Sequence, residues 1–276
     1  MKKIGVIGTG NMGTILIEAW LEAKILNPAD LVITNRTLSK ALALKEKHPD
    51  IKVAESAAEI AQEAEFIFLC VKPLQIDSLL TDIKHHINRK HLVVSITSPL
   101  SVAQLESAVK APCARFIPSI TNRVGSGVSL LSFGEGCSKE AKSALHELAS
   151  AISAPVVIEN DITRVASDIV SCGPAFFSYL AQAFIDGACQ TTKIDKETAT
   201  TLTENMLIGL GELLGKGIYT LPALQEKVCV KGGITGEGIK VLEAETGEMF
   251  HHLFQATHEK FAEDLHEVEK QFGHPY

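Results

Sequence analysis

The sequence predicts an α/β protein with an N-terminal Rossmann-type domain, a mostly parallel sheet with helices on both faces, followed by an all-helical C-terminal domain. Three observations predict it. The turn Gly8-Thr9-Gly10-Asn11-Met12-Gly13 lies between an apolar run, Ile4-Gly5-Val6-Ile7, and Ile15, Leu16, Ala19, Trp20 and Ala23 at helical spacing. A buried strand therefore turns into an amphipathic helix at those glycines. Strand-like and helix-like stretches then alternate to about residue 160, as a parallel sheet of βαβ units requires. Beyond Glu159-Asn160-Asp161 the alternation stops and helical spacing continues to the end. The expected domains are 1–160, carrying the glycine turn, and 161–276, all-helical.

Strands are expected at 3–7, 31–34, 66–71, 92–96 and 114–117, then at 127–133 and 156–158, where short apolar runs are bounded by turn residues. Helices are expected between them at 12–23, 38–47, 57–61, 75–85 and 102–109. Ser138 can cap a further helix to about residue 152. After the boundary, Asp161 can cap a helix to about residue 169. Gly173-Pro174 should break it, with Pro174 in the first turn of the next helix, to about residue 189. Asp195 can cap a helix to about residue 214, and 221–228 is a short helical piece. Gly232-Gly233 is a break before helices at 236–244 and 248–272, the last carrying Phe250, Phe254, Phe261, Leu265 and Val268 on one face. A helical domain of about 115 residues has a modest core of its own and is expected to complete it on a second subunit.

Composition excludes several classes. The net charge is −7, with no general basic character for nucleic acid. No apolar run reaches membrane-spanning length. Met1-Lys2-Lys3 and the apolar stretch behind it imitate a leader, but glycines cut the stretch short and no small-residue cleavage site follows. A cytoplasmic protein is expected. The six cysteines form no C-x-x-C, and the pairs His85-His86 and His251-His252 are adjacent, so their side chains diverge on a helix. No metal site is expected.

The glycines have distinct uses in a dinucleotide site. Gly8 allows a tight turn, Gly10 lets a pyrophosphate approach the backbone, and Gly13 lets the helix pack close to the sheet. Asn11 and Met12 open that helix, whose free N–H groups and dipole favour phosphate. The plainer alternative is a strand–helix turn that binds nothing. At the end of the second long strand stands Thr34-Asn35-Arg36-Thr37, with no acid to read a ribose 2′-hydroxyl. An arginine there attracts a 2′-phosphate, which favours NADP(H) over NAD(H), unless Arg36 is only a solvated loop residue. Two more turns should border the crevice, Val71-Lys72-Pro73 and Thr97-Ser98-Pro99, although both prolines could be simple strand terminators.

These residues, with Phe68-Leu69-Cys70 and Gly173-Pro174-Ala175-Phe176, resemble the pyrroline-5-carboxylate reductases over nearly the whole chain. Asn35-Arg36-Thr37, Ile117-Pro118-Ser119-Ile120-Thr121-Asn122-Arg123, Val170-Ser171-Cys172-Gly173-Pro174 and Cys229-Val230-Lys231-Gly232-Gly233 are similar to a narrower branch, the late-competence members found in bacilli. The resemblance implies a dimer with interleaved helical domains. It also implies a substrate held between one subunit's cofactor and the other's helices. The family's reaction is hydride transfer from NADPH or NADH to the C=N bond of 1-pyrroline-5-carboxylate, giving L-proline. Thr235 matches the family's threonine that faces the imine nitrogen, and so is the catalytic candidate. Gly232 and Gly233, before a helix, could offer N–H groups to the substrate carboxylate. From the residues alone they are equally a turn, with Thr235 a helix cap. Ser171, Cys172 and Gly173 fall on the substrate side.

The departures from the family also fall there. Ser-Pro-Gly-Gly becomes Val230-Lys231-Gly232-Gly233, Ser-Gly-Ser becomes Val170-Ser171-Cys172, and Met-Pro-Asn becomes Ile117-Pro118-Ser119. Ser98 stands where a small residue is usual. Lys231 either strengthens an anion site or points to solvent. Cys172 is either redox-sensitive or a small core thiol. A second reading is therefore an NADP-binding relative with little catalysis and a regulatory or interaction role in competence or development. A third, a short 3-hydroxyacid-type dehydrogenase, would want a lysine in 163–189, and there is none.

Overall fold

The computed structural model describes residues 3–276; Met1 and Lys2, which open the leader-like stretch, lie outside the described residues. The first part runs β1 (Ile4–Ile7), α1 (Asn11–Glu22), β2 (Leu31–Thr34), α2 (Leu38–Lys47), β3 (Lys52–Val53), α3 (Ala57–Glu63) and β4 (Phe66–Leu69). It continues α4 (Ile76–Ile83), β5 (Leu92–Ser95), α5 (Val102–Ala108), β6 (Cys113–Ile117), β7 (Val128–Phe133), α6 (Lys139–Ser150) and β8 (Ala154–Val157). The eight strands form one sheet in the order β3-β2-β1-β4-β5-β6-β7-β8. Every pairing is parallel except β6 with β7. The strand order reverses between β1 and β4, which opens a crevice at their carboxyl ends.

The two faces of the sheet follow from strand alternation. Val6, Ile33, Phe68, Val94 and Phe116 point into one apolar cluster, while Ile7, Val32, Ile67, Leu69 and Val93 point into another. Both faces are covered, so the strands read as continuous apolar runs. Trp20 of α1 is fully buried in the first cluster, and its Nε1 donates to Leu148 O at 3.0 Å. Its ring centroid lies 4.9 Å from that of Phe68. Strand β3 was not among the expected strands. It is two residues at the sheet edge, with Lys52 exposed, and is too short to show a periodicity.

The rest is helical: α7 (Thr163–Ser167), a π-helical turn (Asp168–Cys172), α8 (Gly173–Thr191), α9 (Lys196–Gly215), α10 (Leu221–Val228), α11 (Ile234–Thr246) and α12 (Met249–Phe272). Ser138 and Asp195 cap their helices as expected, accepting from Ala141 N and Thr198 N. Asp161 does not cap α7. The helix starts two residues later, and Thr163 N donates to Asn160 O, closing a backbone turn there. The expected break at Gly173-Pro174 is also absent, because the helix widens into the π turn just ahead of the proline. An α-helical bond to Val170 O would need the N–H of residue 174, where proline has none. Ser119 Oγ donates to that carbonyl at 2.7 Å.

The chain divides into two compact units. One holds the described residues up to Gly173 together with Ala256–Tyr276; the other is Pro174–Gln255. The change from sheet to helix near residue 160 is thus a different boundary from the change of compact unit. Among the described residues, no helix is long and apolar enough to cross a membrane.

Candidate functional site

The glycine turn is shaped by what it must avoid. Gly8 has φ +105°, and a Cβ there would stand 2.3 Å from Cys70 O. A Cβ on Gly13 would stand 2.0 Å from Gly8 O. Both positions are closed to any side chain. Gly10 differs: it is the N-cap of α1 and has no neighbour within 4 Å of an added Cβ. Open space at that one glycine is what a close-lying pyrophosphate would use. Asn35 secures the turn, its Oδ1 accepting from Thr9 N at 3.0 Å and its Nδ2 donating to Thr37 O at 3.0 Å. Thr9 Oγ1 is buried beside the turn without a hydrogen-bond partner.

Around this turn lies a cavity of about 630 Å³. Of the residues expected at the cofactor, it is lined by Gly8, Gly10, Asn35, Arg36, Thr37, Val71 and Lys72. Asn11 and Met12 begin α1 beside it, Gly13 is buried under Gly8, and Pro73 starts a short 3₁₀ turn after Lys72. Ser98 is not among the lining residues; its carbonyl accepts from buried Arg115 and half-buried Tyr276. The lining carries Arg36, Lys40 and Lys72 against Glu55 and Asp82. Lys40 was missed in the sequence because a lysine in the first turn of α2 has no motif. The residues fit a dinucleotide with an extra phosphate: an open glycine, an orphaned hydroxyl, and two cations, Arg36 and Lys40, just past β2. Burial pushes the Cys70 thiol beneath them up to about 12, so it stays protonated.

Two of the three segments where the sequence departs from its resemblance, 117–119 and 170–172, meet. Ser171 Oγ donates to Pro118 O at 2.8 Å, and Ser119 Oγ donates to Val170 O. Asn122 braces the same turn, its Oδ1 accepting from Ser119 N at 2.7 Å. Both serine hydroxyl protons are therefore spent on main-chain carbonyls. Gly173 is buried beside them. Cys172 lies 3.7 Å from Arg164 Nη2; partial burial raises its pKa, with the guanidinium opposing. Arg164 also pairs with buried Asp168 at 2.8 Å, and Thr257 Oγ1 donates to the same carboxylate at 2.7 Å. Thr257 stands eighty-nine positions from Asp168, so this part of the anchor has no local signal in the sequence.

In the other unit, Val230-Lys231-Gly232-Gly233 forms a tight turn closed by Gly233 N donating to Val230 O at 2.9 Å. Its third residue, Gly232, has φ +77°, which such a turn reserves for glycine. Lys231 is exposed at the second position, the one that proline favours. Gly233 is the N-cap of α11, so the first N–H groups of that helix lack intrahelical partners. Thr235 is not the cap. It is the second residue of the helix and is exposed. Among the described residues, no group of three or more His, Cys, Asp or Glu could hold a metal ion.

Residues 160–264 match the pyrroline-5-carboxylate reductase dimerisation family. Residues 3–99 match the family described as NADP oxidoreductase, coenzyme F420-dependent. The chain is similar to ComE operon protein 4 of Bacillus subtilis, at 55% identity over 98% of this chain and 99% of that protein. It is similar to pyrroline-5-carboxylate reductase 3 of the same organism, at 30% identity over 98% of this chain and all of that one. A solved pyrroline-5-carboxylate reductase from Coxiella burnetii has the same fold, with a TM-score of 0.83, 24% identity and 98% of each chain covered.

Proposed function

The chain belongs to the pyrroline-5-carboxylate reductase family, and from that premise we propose that it reduces the C=N bond of 1-pyrroline-5-carboxylate, or a closely related cyclic imino acid, using NADPH. The observation that carries the reading is the cradle beyond β1 and β2. Gly10 is open there, and Arg36 and Lys40 line the cavity just past β2, which supports a 2′-phosphate beside them. The absence of an acid in Thr34-Asn35-Arg36-Thr37 supports NADP(H) over NAD(H). When bound, NADPH supplies a hydride to the imine carbon. The protein must then hold the substrate carboxylate, orient the ring and see the imine nitrogen protonated. The N–H groups opening α11, after Gly232 and Gly233, suit the carboxylate. The exposed hydroxyl of Thr235 suits a hydrogen bond at the nitrogen. Dimerisation through the helical region supports the same scheme, since the matched family is named for it.

One observation favours the second reading, an NADP-binding relative whose role is regulatory. Ser119 and Ser171 spend their hydroxyl protons inside the protein rather than presenting them to a ligand. Mixing the protein with NADPH and pyrroline-5-carboxylate, and following the cofactor's absorbance, separates the two. Substrate-dependent loss of signal, reduced about a hundredfold in Thr235→Ala, is the expected result. No turnover, with NADPH still binding by calorimetry, would instead favour the regulatory reading.

A further inference from the structure

Arg115 is a charged residue in the middle of β6, and its side chain is fully buried. Every acceptor it reaches is neutral. Its Nη1 donates to Ser98 O at 3.1 Å, to Leu100 O at 3.5 Å and to Tyr276 Oη at 2.7 Å. Its Nη2 donates to Thr163 Oγ1 at 2.6 Å, Asn160 Oδ1 at 3.1 Å and Ser132 Oγ at 3.3 Å. A cation taken out of water without a counter-ion is costly unless many dipoles face it. The positions of those dipoles are therefore fixed by Arg115 as much as Arg115 is held by them.

Tyr276 reaches the same place. Its Oη donates to Ser98 O at 3.0 Å, and its ring packs edge-on to Phe261 with centroids 5.7 Å apart. The segment that carries it is tied down by Gln104 Nε2 donating to His274 O at 2.9 Å and Tyr276 N donating to Glu269 Oε1 at 3.1 Å. The Ser98 carbonyl thus receives two donors from inside the protein and is drawn inward. Its turn follows β5, one strand past the reversal of strand order. A dinucleotide whose adenine end lies near Arg36 runs along the strand ends toward that turn with its nicotinamide end.

We propose that Arg115 and Tyr276 are positioning residues for the nicotinamide half of the dinucleotide: by holding the Ser98 carbonyl inward they fix the surface on which that ring rests. The inference rests on the reading that the chain binds NADP(H). Without the tyrosine hydroxyl, the carbonyl loses one donor and Arg115 loses one acceptor. The turn then relaxes, while the adenine end of the cradle, built by other residues, is untouched.

Calorimetry with two probes tests this: NADPH, and 2′,5′-ADP, which carries the adenine half and no nicotinamide. Tyr276→Phe keeps the ring against Phe261 and removes only the hydroxyl. It should bind NADPH about 3- to 10-fold more weakly and 2′,5′-ADP with unchanged affinity, the size of one hydrogen bond. Arg115→Lys keeps the charge but not the two-sided fork, and should show the same pattern at least as strongly. Wild-type protein that binds both probes, with variants that change neither or weaken both equally, would overturn the inference alone. Wild-type protein that binds neither probe would overturn the cofactor reading itself, and the inference with it.

Discussion

The sheet-built unit and the helices of residues 174–255 treat their large apolar side chains in opposite ways. Trp20, Phe66, Phe68 and Phe116 around the sheet are each at most 2% exposed. On α8, Phe177, Tyr179 and Phe184 are 64%, 72% and 66% exposed, and Ile208 of α9 is 61% exposed. A sheet covered on both faces seals its own interior, and a cofactor cradle can be built on it from one chain. Helices with uncovered apolar faces on this scale need another surface, and the family match over 160–264 makes a second copy of the chain the natural cover. The difference teaches that the sheet-built unit encloses its apolar core within one chain, whereas the helices of 174–255 leave apolar faces that a second chain would cover.

The contrast can be broken first at Gly8. Replacing it with alanine puts a Cβ on Cys70 O at a left-handed φ, a strain of about 3 kcal/mol or more. Gly8→Ala should lose NADPH binding altogether by calorimetry, while the helical region still self-associates. Next comes the helical side. Phe184→Glu should convert the dimer to a folded monomer in light scattering, because each copy loses about 1.5–3 kcal/mol of apolar burial. NADPH should still bind that monomer; if it does not, the cradle is not the work of one chain. The smallest effect is expected at Arg36. Arg36→Ala should weaken NADPH about 10- to 100-fold, the range of a charge-assisted pair with phosphate, and leave NADH nearly unchanged. Equal losses for both would mean that Arg36 does not read the 2′-phosphate.

Much of this was legible in the sequence where the signal was local. The glycine turn, the long strands, the reversal into helices and the caps Ser138 and Asp195 all rest on residues within a few positions of each other. Lys52–Val53 was not legible, because two residues carry no periodicity. The π turn was not legible either: a proline in a helix normally reads as an end, and its rescue comes from Ser119, fifty-one positions before Val170. Arg115 is illegible for a related reason. Its six partners come from four separate stretches of chain, and a lone charge in an apolar strand announces none of them. Among the segments that depart from the family pattern, the sequence does not show that 117–119 and 170–172 hold one another. Each of the two segments donates a serine hydroxyl to a carbonyl of the other.

The place of Trp20 has a consequence for spectroscopy. It is the chain's single tryptophan, sealed between α1 and the sheet with its indole N–H bonded to Leu148 O. Its fluorescence is therefore a reporter of the cofactor-binding unit alone, emitting as an indole in a dry, hydrogen-bonded setting. Its emission overlaps the absorption band of a reduced nicotinamide, so cofactor arriving at the far end of α1 would be seen as quenching by energy transfer. Opening of the helical pair would leave the same signal silent. One native chromophore thus separates loading from assembly without any label.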